Sequence, residues 1–229
     1  MMRWFALVLL LCSNAALART RAVTPWLPRP SHILIVTAHP DDELLFAPFL
    51  ASRCVRGGTT CSIVVMTRGE GGGDPEVRTR EMANAAAMLH LQLTQWSLPD
   101  ISTAWPERET LIRQIGDIIA TEHPDMILTF DPEHGTTGHF AHREIASIVL
   151  ATGAPNVYPL ETHAQFAGDG FVLSRGEGAS WAYFAGGDWD YAVRDAEIHA
   201  SQFSAAQVES LRTLPVEQRF VWLRANEVR

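Results

Sequence analysis

From residue 32 onward, short unbroken apolar runs alternate with segments whose apolar positions recur every three or four residues. His32 to Thr37 is apolar, rich in β-branched residues and followed by a turn, the pattern of a strand buried on both faces. Cys61 to Thr67 repeats it, and Leu93 to Leu98 and Met126 to Phe130 predict a third and a fourth strand. Leu44 to Arg53, Val77 to Leu89, Glu107 to Glu122 and His139 to Leu150 predict helices between and after them. Strict alternation implies right-handed crossovers, hence an α/β fold with a mainly parallel sheet flanked by helices in a single domain. Beyond Ala154 the pattern loosens. Tyr158 to Gly187, rich in glycine and aromatics, predicts irregular strands that wall a pocket, and Tyr191 to Gln202 and Ala205 to Arg224 predict terminal helices.

The first residues stand apart from this pattern. Arg3 gives a positive start, Trp4 to Leu11 is unbroken apolar, and Ala16 and Ala18 occupy the −3 and −1 positions of a cleavage site. The run is too short to span a bilayer comfortably. Leu11 precedes Cys12 where a lipoprotein would carry a small residue. The expectation is a signal peptide over residues 1–18, a domain over residues 19–229, and export to the periplasm or medium without stable membrane insertion. Arg19 to Pro30 reads as an extended lead-in.

Composition narrows the chemistry. The net charge of −8, which becomes −9 once Arg3 is lost, argues against nucleic acid or an anionic membrane as the main partner. All 18 basic residues are arginine, so Schiff-base chemistry and a phosphate-binding P-loop are excluded. Cys54 and Cys61, placed at a helix end and the next strand start, either bridge that turn or remain buried thiols.

Candidate chemistry begins directly after the first strand, with Thr37, Ala38, His39, Pro40, Asp41, Asp42 and Glu43. His39 and Asp42, three apart on the first turn of a helix, can converge on one point, and zinc accepts both ligand types. A helix start also favours proline and acidic residues. Capping accounts for one carboxylate, not for a histidine followed by three acids. The second cluster, Asp131 to Glu144, follows the fourth strand and so opens on the same sheet edge. His139 and His142 share a helix face there. Two histidines and one carboxylate leave a fourth position open, the arrangement of catalytic zinc.

These motifs resemble the PIG-L/LmbE-like deacetylases, which remove acetyl groups from N-acetylglucosamine conjugates. The resemblance rests on Ala38 to Glu43, on Gly138, His139 and His142, on Thr67 to Gly71, on Arg78 with Glu81, and on Pro99 with Asp100. A weaker likeness lies at His199 to Gln202, so that roughly Ile33 to Gln202 is covered. It implies a Rossmann-like fold and Zn2+ held by His39, Asp42 and His142. Asp41 is implied as the base that takes a proton from zinc-bound water, and His139 as the group that polarises the amide carbonyl, stabilises the oxyanion or protonates the amine. Arg78, Asp100 and Glu70 are implied as substrate contacts. Ordinary alternatives stand beside these: Arg78 as a surface residue paired with Glu81, and Asp100 as a turn residue.

Independent chemistry supports the roles. Zinc brings the pKa of bound water towards about 7, and a nearby unligated carboxylate can complete deprotonation. The sequence departs from the family at Phe140 and Ala141, where a proline and an aspartate are common. The lost carboxylate weakens His139 as an acid, with Glu144 or Glu133 as candidate replacements. Thr137 replaces a tyrosine of some relatives, and His134 is an additional histidine.

The glycines of Gly69 to Gly73 follow the second strand, where a dinucleotide fold places them after the first, so a nucleotide-dependent enzyme is disfavoured. The expected substrate is a small molecule or oligosaccharide bearing an N-acetyl amino sugar, with Trp181, Tyr183 and Trp189 available to stack on sugar faces. Two alternatives remain: an amidase for a different N-acyl conjugate, and a non-catalytic zinc-stabilised carbohydrate-binding module. Iron and cobalt also suit such a ligand set.

Overall fold

The computed structural model describes residues 29–100, 104–176, 181–184 and 188–224; side chains of residues 181–184 lie outside the description, as does the expected signal peptide. The strands are β1 His32–Thr37, β2 Thr60–Thr67, β3 Leu91–Leu98, β4 Met126–Phe130, β5 Val157–Leu160, β6 Thr162–Ala167, β7 Gly170–Arg175, β8 Trp181–Phe184 and β9 Phe220–Leu223. The helices are α1 Ala47–Leu50, α2 Pro75–Met88, α3 Arg108–Glu122, the single turn α4 Gly135–Gly138, α5 Phe140–Ala151, α6 Trp189–Ile198 and α7 Ala205–Thr213.

β1 to β5 pair in parallel in the order β3-β2-β1-β4-β5, and β9 and β8 extend that sheet antiparallel. The unbroken apolar runs follow from this placement. Ile33 to Val36 and Ile63 to Met66 have helices or strands on both sides and are essentially solvent-free. β6 and β7 form a separate two-stranded hairpin. Local signals start and stop the helices. Asp74 caps α2 by accepting from the backbone N–H of Glu76 at 2.8 Å, with Pro75 at the first turn. α3 ends at His123, which takes a left-handed conformation before Pro124. Among the described residues no helix is long and apolar enough to cross a membrane.

The stretch from Ala205 to Arg224 is not one helix: α7 stops at Thr213 and the chain returns as β9. Pro215 holds Leu214 extended, at φ −53° and ψ 129°, which ends the helix and lets the apolar residues of β9 join the sheet. Trp189 does not stack on a sugar face, because it is buried and its ring N–H donates to the Leu211 carbonyl at 2.7 Å. Cys54 and Cys61 are joined by a disulfide, with Cα atoms 5.9 Å apart.

Candidate metal centre

β1 and β4 are neighbours, yet the chain leaves β1 towards β2 and β3 and leaves β4 towards β5. Strand order reverses between them. In open α/β sheets that crevice, at the carboxyl ends of the strands, is where ligands bind. The segment after β1 carries His39, Asp41 and Asp42, and the segment after β4 carries His139 and His142.

Asp42 joins the two segments. Its Oδ2 accepts from the backbone N–H groups of Ala38 at 3.0 Å and His39 at 2.6 Å, which fixes the carboxylate. Oδ1 then lies 3.0 Å from His142 Nε2, and Oδ2 lies 3.6 Å from His39 Nδ1. Burial works against the Asp42 charge, but His142 and His39 outweigh it and hold the carboxyl well below its ordinary range. Asp42 in turn raises the pKa of His39 against the opposing effect of burial.

His142 is oriented from behind. Its Nδ1 is 3.0 Å from the Gly135 carbonyl and 3.0 Å from the Thr137 hydroxyl, and its ring stacks on Phe130 with centroids 4.0 Å apart. A carbonyl only accepts, so Nδ1 carries a proton, which leaves Nε2 as the ring atom turned to Asp42 and able to ligate a metal. Nε2 faces an Asp42 carboxylate oxygen at 3.0 Å, a pairing satisfied either by a proton on Nε2 or by a metal ion held by both groups. Two imidazoles and a carboxylate are a donor set that fits the divalent ion implied by the resemblance. α4 makes the backing possible: Gly135 has φ +66°, and a Cβ there would come within 3.2 Å of the His142 Cβ.

Asp41 adopts φ 111°, a left-handed conformation that costs a non-glycine residue on the order of 1–3 kcal/mol. Two contacts hold it there. Its N–H donates to Glu43 Oε2 at 3.2 Å, and its Oδ2 accepts from the Arg78 guanidinium at 3.0 Å. Burial and the adjoining Asp42 charge push its pKa up to about 7, against the pull of Arg78 and His199.

His139 caps α5, its Nδ1 accepting from the Ala141 N–H at 3.2 Å. A neutral ring in this tautomer presents Nε2–H as a donor. The ring lies 4.9 Å from that of His39 and 5.0 Å from that of His142. Burial and the charges of those two histidines lower its pKa. Glu144 does not replace the carboxylate missing at Ala141, because it pairs with Arg108 at 2.7 Å. Asp42 and Asp100 are the carboxylates whose charge favours the protonated ring.

Arg78 is not a surface partner of Glu81. It is buried, donating to the carbonyls of Pro40 at 2.6 Å and Gly69 at 2.7 Å as well as to Asp41. Glu81 instead accepts from the Ser201 N–H at 2.9 Å and its hydroxyl at 2.6 Å. This contact explains the glycine-rich loop: a Cβ on Gly69, which has φ +70°, would come within 2.4 Å of the guanidinium. Glu70 and Asp100 brace each other across two loops. The Asp100 N–H donates to Glu70 Oε1 at 3.1 Å, and the Gly71 N–H donates to Asp100 Oδ2 at 2.6 Å.

Sequence reasoning missed the group beneath Asp41. Glu43, fully buried, receives His199 Nε2 at 2.6 Å, and Asp195 lies 3.5 Å from the same nitrogen. The only sequence signal was the weak likeness at His199 to Gln202. The lining of the adjoining cavity was also missed. About 340 Å³ of space opens beside Asp41 and Asp42, walled by Leu44, Leu45, Ala164, Phe166, Phe171 and Phe203.

Fold and centre together define a mainly parallel α/β protein with a two-histidine, one-carboxylate site at a reversal of strand order. Residues 34–152 match the family PIG-L: GlcNAc-PI de-N-acetylase, and the chain belongs to that family. The matched region contains His39, Asp41, Asp42, His139 and His142, while His199 and the β6–β7 hairpin lie beyond it. A curated relative, uncharacterized protein L374 of Acanthamoeba polyphaga mimivirus, is 27% identical over 135 residues, which is 55% of this chain and 59% of that protein's length. The fold is similar to that of N,N'-diacetylchitobiose deacetylase from Pyrococcus horikoshii, with TM-score 0.64 and 18% identity over 85% of this chain and 83% of that one. It is also similar to GalB, the 4-carboxy-2-hydroxymuconate hydratase of Pseudomonas putida KT2440, with TM-score 0.62 and 16% identity over 86% of this chain and 97% of that one. One scaffold therefore serves different reactions, and the chemistry has to be argued from the site.

Proposed function

We propose that the protein hydrolyses the N-acetyl amide of an amino sugar or glycoconjugate, releasing acetate and a free amine. The observation that carries this reading is the contact between Asp42 and both His39 and His142, with the unligated Asp41 carboxylate beside it. Deacetylase activity in a structural neighbour and membership of the family support the same class of reaction.

His39, Asp42 and His142 would hold a divalent ion, for which zinc is the proposed choice, and when bound it supplies Lewis acidity towards water and the acyl oxygen. Asp41 takes a proton from the attacking water, and a carboxyl with its pKa near 7 gives that proton back to the departing nitrogen. The His139 Nε2–H donates to the acyl oxygen as negative charge develops there. Arg78 keeps Asp41 aimed by fixing both the carboxylate and the Pro40 carbonyl behind it. Glu70 and Asp100, which brace each other on neighbouring loops, are proposed to meet sugar hydroxyls. In balance, the C–N bond breaks, the acyl carbon gains the water oxygen, and the nitrogen gains a proton.

The protein is proposed to act after export. The leader pattern of residues 1–18 supports this, as does the pairing of Cys54 with Cys61, a bond suited to an oxidising compartment. Acetate release from a panel of N-acetylglucosamine conjugates tests the activity. One bound equivalent of metal with no acetate from any of them would point instead to a carbohydrate-binding module.

A further inference from the structure

The space next to the reacting group is not lined as a sugar site would be. Asp41 and Asp42 form one side of the cavity, Thr137 of α4 adds to the lining, and the apolar walls come from three separate parts of the chain. Leu44 and Leu45 follow the metal-ligating turn, Ala164, Phe166 and Phe171 come from the β6–β7 hairpin, and Phe203 comes from the segment after α6. The three phenylalanines form one wall, with ring centroids 4.8 Å apart for Phe166 and Phe171 and 5.7 Å apart for Phe166 and Phe203. Phe171 is braced from behind by Trp189 at 6.4 Å. Beyond the two aspartates, the only polar side chains in this described lining are Thr137 and Gln165. A hexose ring needs a hydrogen-bond partner for each hydroxyl that it buries, and this wall offers few.

We infer that the substrate carries an apolar substituent, an alkyl chain or an aryl group, close to the scissile amide, and that this aromatic cavity receives it. The inference rests on the amide-hydrolysis reading, because the two aspartates of that reaction form part of the cavity. The substituent has two possible sources: the acyl group itself, in place of acetyl, or an aglycone on an N-acetylated sugar. Both present the same chemistry to Phe166, Phe171 and Phe203.

Two substrate series separate the sources. In one, glucosamine carries N-acyl chains from acetyl to octanoyl; in the other, N-acetylglucosamine carries C1 alkyl chains from methyl to octyl. With metal-loaded protein, kcat/KM is expected to rise roughly three- to fourfold per methylene in one series until the cavity is filled, and that series identifies the source. Phe166→Ser and Phe203→Ser, both at half-buried positions, are each expected to flatten the slope. Measurable hydrolysis that stays level or falls along both series would overturn the inference while leaving the hydrolase reading intact. If no compound is hydrolysed, that reading fails, and calorimetric binding of the alkyl glycosides decides about the cavity. Affinity that grows with chain length and is lost in Phe166→Ser would support the apolar assignment, and affinity independent of chain length would overturn it.

Discussion

Glu43 and His199, distant in sequence, meet at 2.6 Å with neither side chain exposed to solvent. The other Glu43 oxygen accepts the Asp41 N–H at 3.2 Å, so α6 and the segment after it underpin the backbone of the proposed base. His199→Ala is expected to cost about 3–5 kcal/mol, because it leaves buried carboxylates without their cation. Replacing both partners, as Glu43→Gln with His199→Gln, is expected to recover part of that loss. Urea denaturation of the wild type, the single variants and the double variant measures the coupling.

The same pair sets an alkaline limit on stability. Burial alone would lower the His199 pKa, but the charges of Glu43, Asp195 and Asp41 push it up to about 9. A pKa raised above the unfolded value of about 6.5 stabilises the fold fully below that pH and loses the contribution as pH rises through about 9. The Asp195 pKa, raised well above its ordinary value by burial and the Glu43 charge, adds a contribution that is likewise lost as pH rises. Denaturation at pH 7 and pH 10 is expected to differ by about 3 kcal/mol, and His199→Gln should flatten the profile.

Arg78 lowers the pKa of Asp41, which burial and Asp42 raise to about 7. Because the base must be ionised to act, kcat/KM should fall as pH drops through the Asp41 pKa. Arg78→Gln removes the neighbouring cation, so the acidic limb is expected to move to higher pH. Arg78→Lys, which retains a charge, should shift it less. Asp41→Asn is expected to lower the rate by about 10²–10⁴ while retaining the metal. pH–rate profiles and metal analysis check both outcomes.

The Cys54–Cys61 bond lies at the start of β2, at the opposite end of the parallel strands from the candidate metal centre. It closes a short loop, so reduction is expected to cost about 2 kcal/mol and lower the melting temperature by roughly 4–8 °C. Activity at 25 °C should be unchanged. Thermal melts with and without dithiothreitol measure the loss.

Much of the parallel sheet was legible because buried strands leave unbroken apolar runs; Ile33 to Val36 and Ile127 to Phe130 have little other use for such a sequence. The meeting of Asp42 with His39 and His142 was legible because these residues cluster at the two strand ends that flank the reversal. β9 was not, since Phe220 to Leu223 is a short unbroken apolar run that fits a buried helix segment or a strand until the break at Pro215 is taken into account. The roles of Arg78, Glu43 and His199 depend on contacts between distant parts of the chain, which spacing cannot reveal. The aromatic cavity was hidden for the same reason, assembled from positions 44, 166, 171 and 203.

Central to the proposed chemistry is that His39, Asp42 and His142 grip one divalent ion between them. Zinc titration of the metal-free protein, followed by calorimetry, tests this without reference to turnover. The wild type is expected to bind one equivalent tightly, and Asp42→Ala and His142→Ala, each folded by circular dichroism, to bind at least 100-fold more weakly. Wild-type affinity and stoichiometry in both variants would contradict it.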